Sequence, residues 1–310
     1  MKLAIVATTI AAGLFATAAF ADSSLMIPTT RIDVTDAGGS AASLAAVARL
    51  KAAGMETKVV RNMEGPSMGK GKERVEIHTY APTPGELPGV SGYLFRSSVV
   101  NVEPGGIVPI HPHGGRPAYL EVLSGTITQH RSDGQSVLMR SGHITHGADQ
   151  VAHWWENTGT VPTSIWVVDL CESGEDEGCD PGATTPAVLD PATSTTVPNP
   201  PSGAKPLMDE MIRVDLGNEF PGQVDDRVLR LRTVTLPTGH TTKVHQHVGR
   251  PNYFRVMAGT ISIHTHEGVS QAGPGTVVIE TGPGMRAFSN QGPQTVVLRA
   301  VDVFEPNDSF

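Results

Sequence analysis

The stretch GGIVPIHPHGGRPAYLEVLSGTI, residues 105–127, returns as GHTTKVHQHVGRPNYFRVMAGTI, residues 239–261. His111, His113, Arg116, Pro117 and Gly125 map onto His245, His247, Arg250, Pro251 and Gly259 at a constant offset of 134 residues. A register held over so many positions marks an internal duplication. Each copy carries two imidazoles two residues apart within an apolar, β-branched run. Side chains alternate across a strand, so such a pair faces one way and can chelate one ion. The expectation is a metal site inside a β-barrel.

Working outward, residues 57–170 and 211–304 consist of short β-branched runs broken by Pro and Gly every 8 to 12 residues. That spacing reads as antiparallel barrel or sandwich. Between them, residues 171–206 are acidic and then rich in Thr, Pro and Ala, a composition that suits a linker. Ahead of the strands, Ser40 to Met55 carries Leu44, Val47, Ala48 and Leu50 at helical spacing behind a Ser cap. Residues 1–21 read as a signal peptide: Lys2, an apolar stretch Leu3 to Phe20, then Ala19-Phe20-Ala21 before Asp22. The expected organisation is signal peptide 1–21, N-terminal segment and first barrel 22–170, linker 171–206 and second barrel 207–310.

Twenty-three Lys and Arg against 31 Asp and Glu give a formal charge of −8, with no basic block, which argues against a nucleic-acid partner. No stretch after the leader reaches the roughly 20 apolar residues that span a bilayer. An exported protein, periplasmic or extracellular, is therefore expected, without a membrane association after cleavage. Cys171 and Cys179 are the two cysteines. In an oxidising compartment they are expected to close a small disulfide loop, the alternatives being a metal pair or free thiols.

In the first copy, a further histidine stands in His153-Trp154-Trp155-Glu156-Asn157. Here the chain resembles the cupins, small antiparallel jelly rolls with two motifs, Gly-x5-His-x-His-x3,4-Glu-x6-Gly and Gly-x5-Pro-x-Gly-x2-His-x3-Asn. Gly105, His111, His113 and Gly125 follow the first; Gly142, His153 and Asn157 follow the second. The resemblance implies an all-β chain of two tandem cupin barrels with a short N-terminal helix and a Pro/Thr-rich linker. It also implies metal-ligand roles for His111, His113 and His153.

The departures are as informative. Ala118 stands where the family has its glutamate ligand, and Ala148 and Gln150 replace the Pro and second Gly of the second motif. Glu121, of opposite parity to Ala118, is a candidate replacement ligand, and His146 a fourth ligand or outer partner, the alternative for each being a plain wall residue. In the second copy the glutamate position is Asn252 and the histidine position Arg286. Arg cannot shed its proton to become a ligand, so the second barrel is expected to be degenerate and to have lost its metal. His245, His247, Asn252 and Arg286 are thus candidates for a pocket that takes an anion, unless Arg286 is a plug tied to a local carbonyl or acid. Glu121 and Arg255, equivalent in the two copies, are a candidate charge pair across a pseudo-twofold axis.

Three neutral imidazoles leave an ion's charge uncompensated and up to three positions open. Iron, manganese, copper, zinc and nickel all fit such a donor set, so one divalent transition metal in the first barrel is the expected cofactor. As the resemblance implies, three-histidine cupins include oxidising iron enzymes, whereas oxalate-processing cupins keep the glutamate. The functional expectation is a mononuclear metalloenzyme of dioxygenase type acting on a small anionic molecule. A barrel that binds a small molecule or metal without turnover is the alternative. Monomer and homodimer are both compatible, and no residue stands out as a general acid or base.

Overall fold

The computed structural model describes residues 39–148, 151–174, 178–182, 187–189, 194–224 and 226–306. The expected signal peptide lies outside the described residues, as does part of the expected linker. Helix α1 (Gly39–Ala52) precedes a hairpin, β1 (Thr57–Val60) and β2 (Met63–Pro66). The first barrel is formed by β3 (Lys70–Tyr80), β4 (Tyr93–Pro112), β5 (Ala118–Ser124), β6 (Thr126–Arg131), β7 (Ser136–Arg140), β8 (Ile144–Gly147), β9 (Ala152–Glu156) and β10 (Thr163–Glu172). A short β11 (Ala187–Leu189) comes next. The second barrel comprises β12 (Leu207–Asp215), the single helical turn α2 (Leu216–Glu219), β13 (Val228–Leu236), β14 (His245–Ala258), β15 (Ile261–Thr265), β16 (Gly268–Ala272), β17 (Val277–Ser289) and β18 (Val296–Phe304).

Both sheets follow one plan. The first runs β7-β6-β9-β4-β10-β5-β8 with β3 on β4; the second runs β12-β13-β18-β14-β17-β15-β16. β10 lies between β4 and β5 as β18 lies between β13 and β14. These are two jelly-roll barrels in tandem. Ala187–Leu189, inside the stretch of linker composition, adds a parallel strand to β17. Cys171 and Cys179 are bonded, with Cα atoms 6.2 Å apart, and pack on Leu94.

Each barrel has its own apolar interior, around Val102, Val122, Ile127 and Trp155 in the first and Phe254, Ile261, Phe288 and Leu298 in the second. Burial of such side chains at roughly 25 cal/mol per Å² is the main stabilising term. The glycine closing the first motif is there for geometry. Gly125 has φ +78°, and a Cβ on it would meet the Pro162 carbonyl oxygen at 2.6 Å; Gly259 has φ +71° and would meet the Thr295 oxygen at 2.7 Å.

A third cluster joins the barrels, with Phe95, Trp166 and Val168 against Leu229, Tyr253 and Val301. Tyr119 donates to the Leu229 carbonyl at 2.5 Å and Tyr253 to the Phe95 carbonyl at 3.3 Å. Since 119 + 134 = 253 and 95 + 134 = 229, these are one contact made twice, the signature of a pseudo-twofold axis. Opposite charges do meet there, but in a different pairing from the one the repeat suggests. Glu121 accepts from Arg299 Nε at 3.0 Å, while Arg255 reaches Glu76 at 2.8 Å across a bulge of β3 where Glu76 has φ +48°. The axis brings the Glu121 position to the neighbouring strand β18, not to its own equivalent on β14.

α1 closes the outer face of the first barrel. Ala46, Val47 and Leu50 pack on Ile110 and Trp154, and Arg49 bonds Glu156 at 2.5 Å. Trp154 also stacks on His130 at 4.1 Å, and His130 Nε2 lies 3.1 Å from Glu156. His130, next to a hairpin turn, is expected at the surface by its sequence; the helix and Trp154 bury it instead. Among the described residues no helix is long and apolar enough to cross a membrane.

Candidate metal centre

His111, near the end of β4, and His153, on β9, are direct cross-strand partners, with a bulge between Val108 and His111. A bulge re-aims the side chains that follow it, and His113, two residues on, completes the group. The three imidazoles converge: His113 Nε2 to His153 Nε2 is 3.0 Å and His153 Nε2 to His111 Nε2 is 3.1 Å. Metal–imidazole bonds of about 2.1 Å set ligand nitrogens about 3.0 Å apart at cis octahedral positions and about 3.4 Å in a tetrahedron. The two observed spacings are those of ligands at cis octahedral positions.

The other ring nitrogens hold the tautomers. His111 Nδ1 lies 2.8 Å from the Pro109 carbonyl and His113 Nδ1 2.8 Å from the Arg116 carbonyl. A carbonyl can only accept, so both rings carry the proton on Nδ1 and turn the Nε2 lone pair inward. Gln129 Nε2 stands 2.8 Å from His153 Nδ1, and the amide fixes the third proton on Nδ1 only when turned to bring its oxygen to the ring. Burial, then the neighbouring charges at His111 and Arg116, pushes His113 well below the usual histidine range. His153 is pushed down in the same way, by burial and by its two histidine neighbours. Neutral rings are what a cation needs. The group can hold a metal ion.

Gly147 makes room for it. A Cβ on Gly147 would press on the His113 ring, against its Cε1 and Nδ1. We therefore expect Gly147→Ala to leave the barrel folded by circular dichroism but to lower metal affinity at this centre by about 100-fold, measured by competition with a chromophoric chelator, as displacement of one ligand requires.

Above the imidazoles is a cavity of about 130 Å³. Lys72 and Arg74 from β3 and Arg116 give its wall positive charge, while Val100, Leu120 and Trp155 make the rest apolar. Ala118 lines it where the glutamate of the first motif would stand. Asp169, also at the wall, is committed elsewhere: Arg96 clamps it in two bonds of 2.9 and 2.6 Å, and Arg116 Nε is 3.3 Å away. Burial raises its pKa, but Arg96 and Arg116 outweigh that and hold it ionised far below the usual carboxylate range.

Residues 98–169, which span all three imidazoles, match the family profile of the Cupin domain. This part of the chain is a cupin domain. The second barrel repeats its topology, so the cupin fold is present twice. Salicylate 1,2-dioxygenase from Pseudaminobacter salicylatoxidans is similar at 13% identity over 73% of this chain and 75% of that one, with a TM-score of 0.48. A cupin 2 conserved barrel domain protein from Leptotrichia buccalis (8% identity, 76% and 92% covered, 0.47) and the oxalate decarboxylase of Lactobacillus farciminis (12%, 83% and 86%, 0.44) are similar too. Identities this low transfer no substrate. No curated protein matches the chain.

The other candidates of this cupin are placed as follows. Glu121 is not a ligand replacement: it is buried at the inter-barrel contact with Arg299. His146 faces Tyr119 across β5 and β8, and its carbonyl accepts from Arg131; it is not in the group of three. In the second barrel Arg286 occupies the cross-strand position opposite His245 that His153 has opposite His111. Its Nη2 donates to the carbonyls of Thr281 and Gly284, so it is tied to local backbone. Asn252 donates to Glu280 at 2.6 Å. Glu280 itself was not anticipated, although an acid at the end of the apolar run Val277-Val278-Ile279 is a signal of burial with a purpose. With His245 and His247 it forms a second group that can hold a metal ion.

Proposed function

We propose that this is an exported metalloenzyme whose first barrel holds one divalent transition metal on His111, His113 and His153 and oxidises a small anionic organic substrate. The observation that carries the reading is the convergence of three imidazoles beneath a cavity whose wall carries Lys72, Arg74 and Arg116 against the single acid Asp169, with Val100, Leu120 and Trp155 as its apolar part. Three imidazoles bring no negative charge to a divalent ion, so the bound species favours an anion in the open positions. Lys72, Arg74 and Arg116 favour the same charge, and Val100, Leu120 and Trp155 accept an apolar body. When bound, an iron centre of this kind supplies sites for dioxygen and a chelating substrate. The chain's own residues orient the substrate and exclude water around it. The apolar leader and the Cys171–Cys179 bond support export to an oxidising compartment.

Oxygen uptake tests the reading. Protein loaded anaerobically with ferrous iron is given a panel of small aryl and alkyl carboxylates, hydroxy acids and diketones in an oxygen electrode. Metal-dependent uptake with at least one of them is expected, and Lys72→Ala should raise KM about tenfold with a smaller change in kcat, as loss of one charge-assisted contact does. Binding seen in the metal's absorption spectrum without any uptake would instead support the non-catalytic alternative.

A further inference from the structure

We infer that His245, His247 and Glu280 form a second cation site, built with a carboxylate from a position that neither cupin motif supplies. In the first barrel the position of Glu280 is Gly147: Ala118 pairs with Gly147 as Asn252, its equivalent, pairs with Glu280. The second barrel thus has an arginine, Arg286, in place of the imidazole and an acid six residues earlier on β17.

The hydrogen-bond inventory points to a cation there. His245 Nδ1 lies 2.8 Å from the Lys243 carbonyl and His247 Nδ1 2.9 Å from the Arg250 carbonyl, so each neutral ring turns an Nε2 lone pair inward. Glu280 Oε1 is 3.4 Å from both of those nitrogens. It is buried and has no hydrogen-bond partner, while Asn252 holds the other carboxylate oxygen. With both rings neutral, three electron-pair donors face one another with no hydrogen between them, an arrangement costly to bury alone. The 3.4 Å separations exceed the ordinary hydrogen-bond range of about 2.7–3.2 Å. They equal the tetrahedral ligand spacing of about 3.4 Å set by bonds of about 2.1 Å. The Arg286 guanidinium, 3.8 Å from Glu280 Oε1, adds a positive charge beside the site. The second site thus differs from the first in spacing and in bringing a carboxylate to its ion.

Zinc is the probe, because it prefers nitrogen and carboxylate donors and has no redox chemistry. The full chain is stripped with chelator, dialysed against zinc, and its metal counted by plasma mass spectrometry. Two equivalents are expected for the unaltered chain, one for Glu280→Gln, one for His153→Ala and none for the double variant. Glu280→Gln keeps the side-chain shape and the Asn252 contact; if it fails to fold, His245→Gln reads the same loss. Cobalt gives an independent signature: His153→Ala loaded with cobalt should show intense tetrahedral visible absorption that disappears on adding Glu280→Gln. Saturation of the unaltered chain at one equivalent that survives Glu280→Gln, or at none, overturns the inference. One equivalent lost in Glu280→Gln but kept in His153→Ala would instead uphold this site and sink the first.

Discussion

Replacing His153 by alanine should remove one metal equivalent from the chain and, under the proposed function, metal-dependent turnover with it. Loss of an outer partner of a ligand typically costs about 10–100-fold in affinity, and loss of a ligand itself costs more. At this centre the loss cannot be made good locally. His146 is outside the group, Glu121 is bonded to Arg299, and Asp169 is held by two arginines. The measurement is metal content after dialysis, beside oxygen uptake on the same preparation. A His153→Ala protein that keeps its full metal content, with its fold intact, would remove the three-histidine reading. Retained metal at the second barrel does not confuse the result, because Glu280→Gln subtracts it.

Asp169→Ala should destabilise the protein by about 3–5 kcal/mol, the usual consequence of leaving a buried charge without its partner. Arg96 and Asp169 are both fully buried, and Arg230 and Asp302 make the same two-pronged pair in the second barrel, at 3.0 and 2.7 Å. Denaturant unfolding of the disulfide-bonded chain, followed by fluorescence of the buried tryptophans, reads the change; a shift under about 1 kcal/mol would show that Arg96 finds other partners. The pH dependence has a definite sign. Asp169 is depressed in the folded state, so its contribution is complete above the ordinary carboxylate range near 4 and is lost only as pH falls toward its own much lower value. Asp169→Ala should therefore lose stability throughout neutral pH and show a flatter acid limb than the unaltered chain.

The duplicated barrels were legible because a repeat at constant offset needs no knowledge of strand pairing. The convergence of His111 and His113 follows from strand parity, and the eleven-residue step from Gly142 to His153 places the third ring. Parity also pointed Glu121 away from Ala118. What it could not supply was the destination, since Arg299 lies 178 residues on and meets Glu121 only through the packing of one barrel on the other. Glu280 was hidden for a related reason. Its counterpart is a glycine, so comparing the copies offers no functional residue to look for. Lys72 and Arg74 lie on β3, some forty residues before the imidazoles, and only sheet closure brings them to the cavity. Elements read from local pattern were accessible; contacts between distant strands were not.

The reciprocal tyrosine contacts across the pseudo-twofold axis bear on how the two barrels can differ. In a symmetric homodimer a substitution appears in both subunits, so a ligand removed from one site is removed from its mate, and every interface charge must suit its own copy. Fusion into one chain lifts that constraint and makes the association intramolecular, with an effective concentration in place of a dissociation constant. One half can then keep three imidazoles under an open cavity while the other trades an imidazole for an arginine. The pairing of Glu121 with Arg299 and of Arg255 with Glu76 makes the two mating faces unlike, and so favours a first half joining a second half over two like halves pairing.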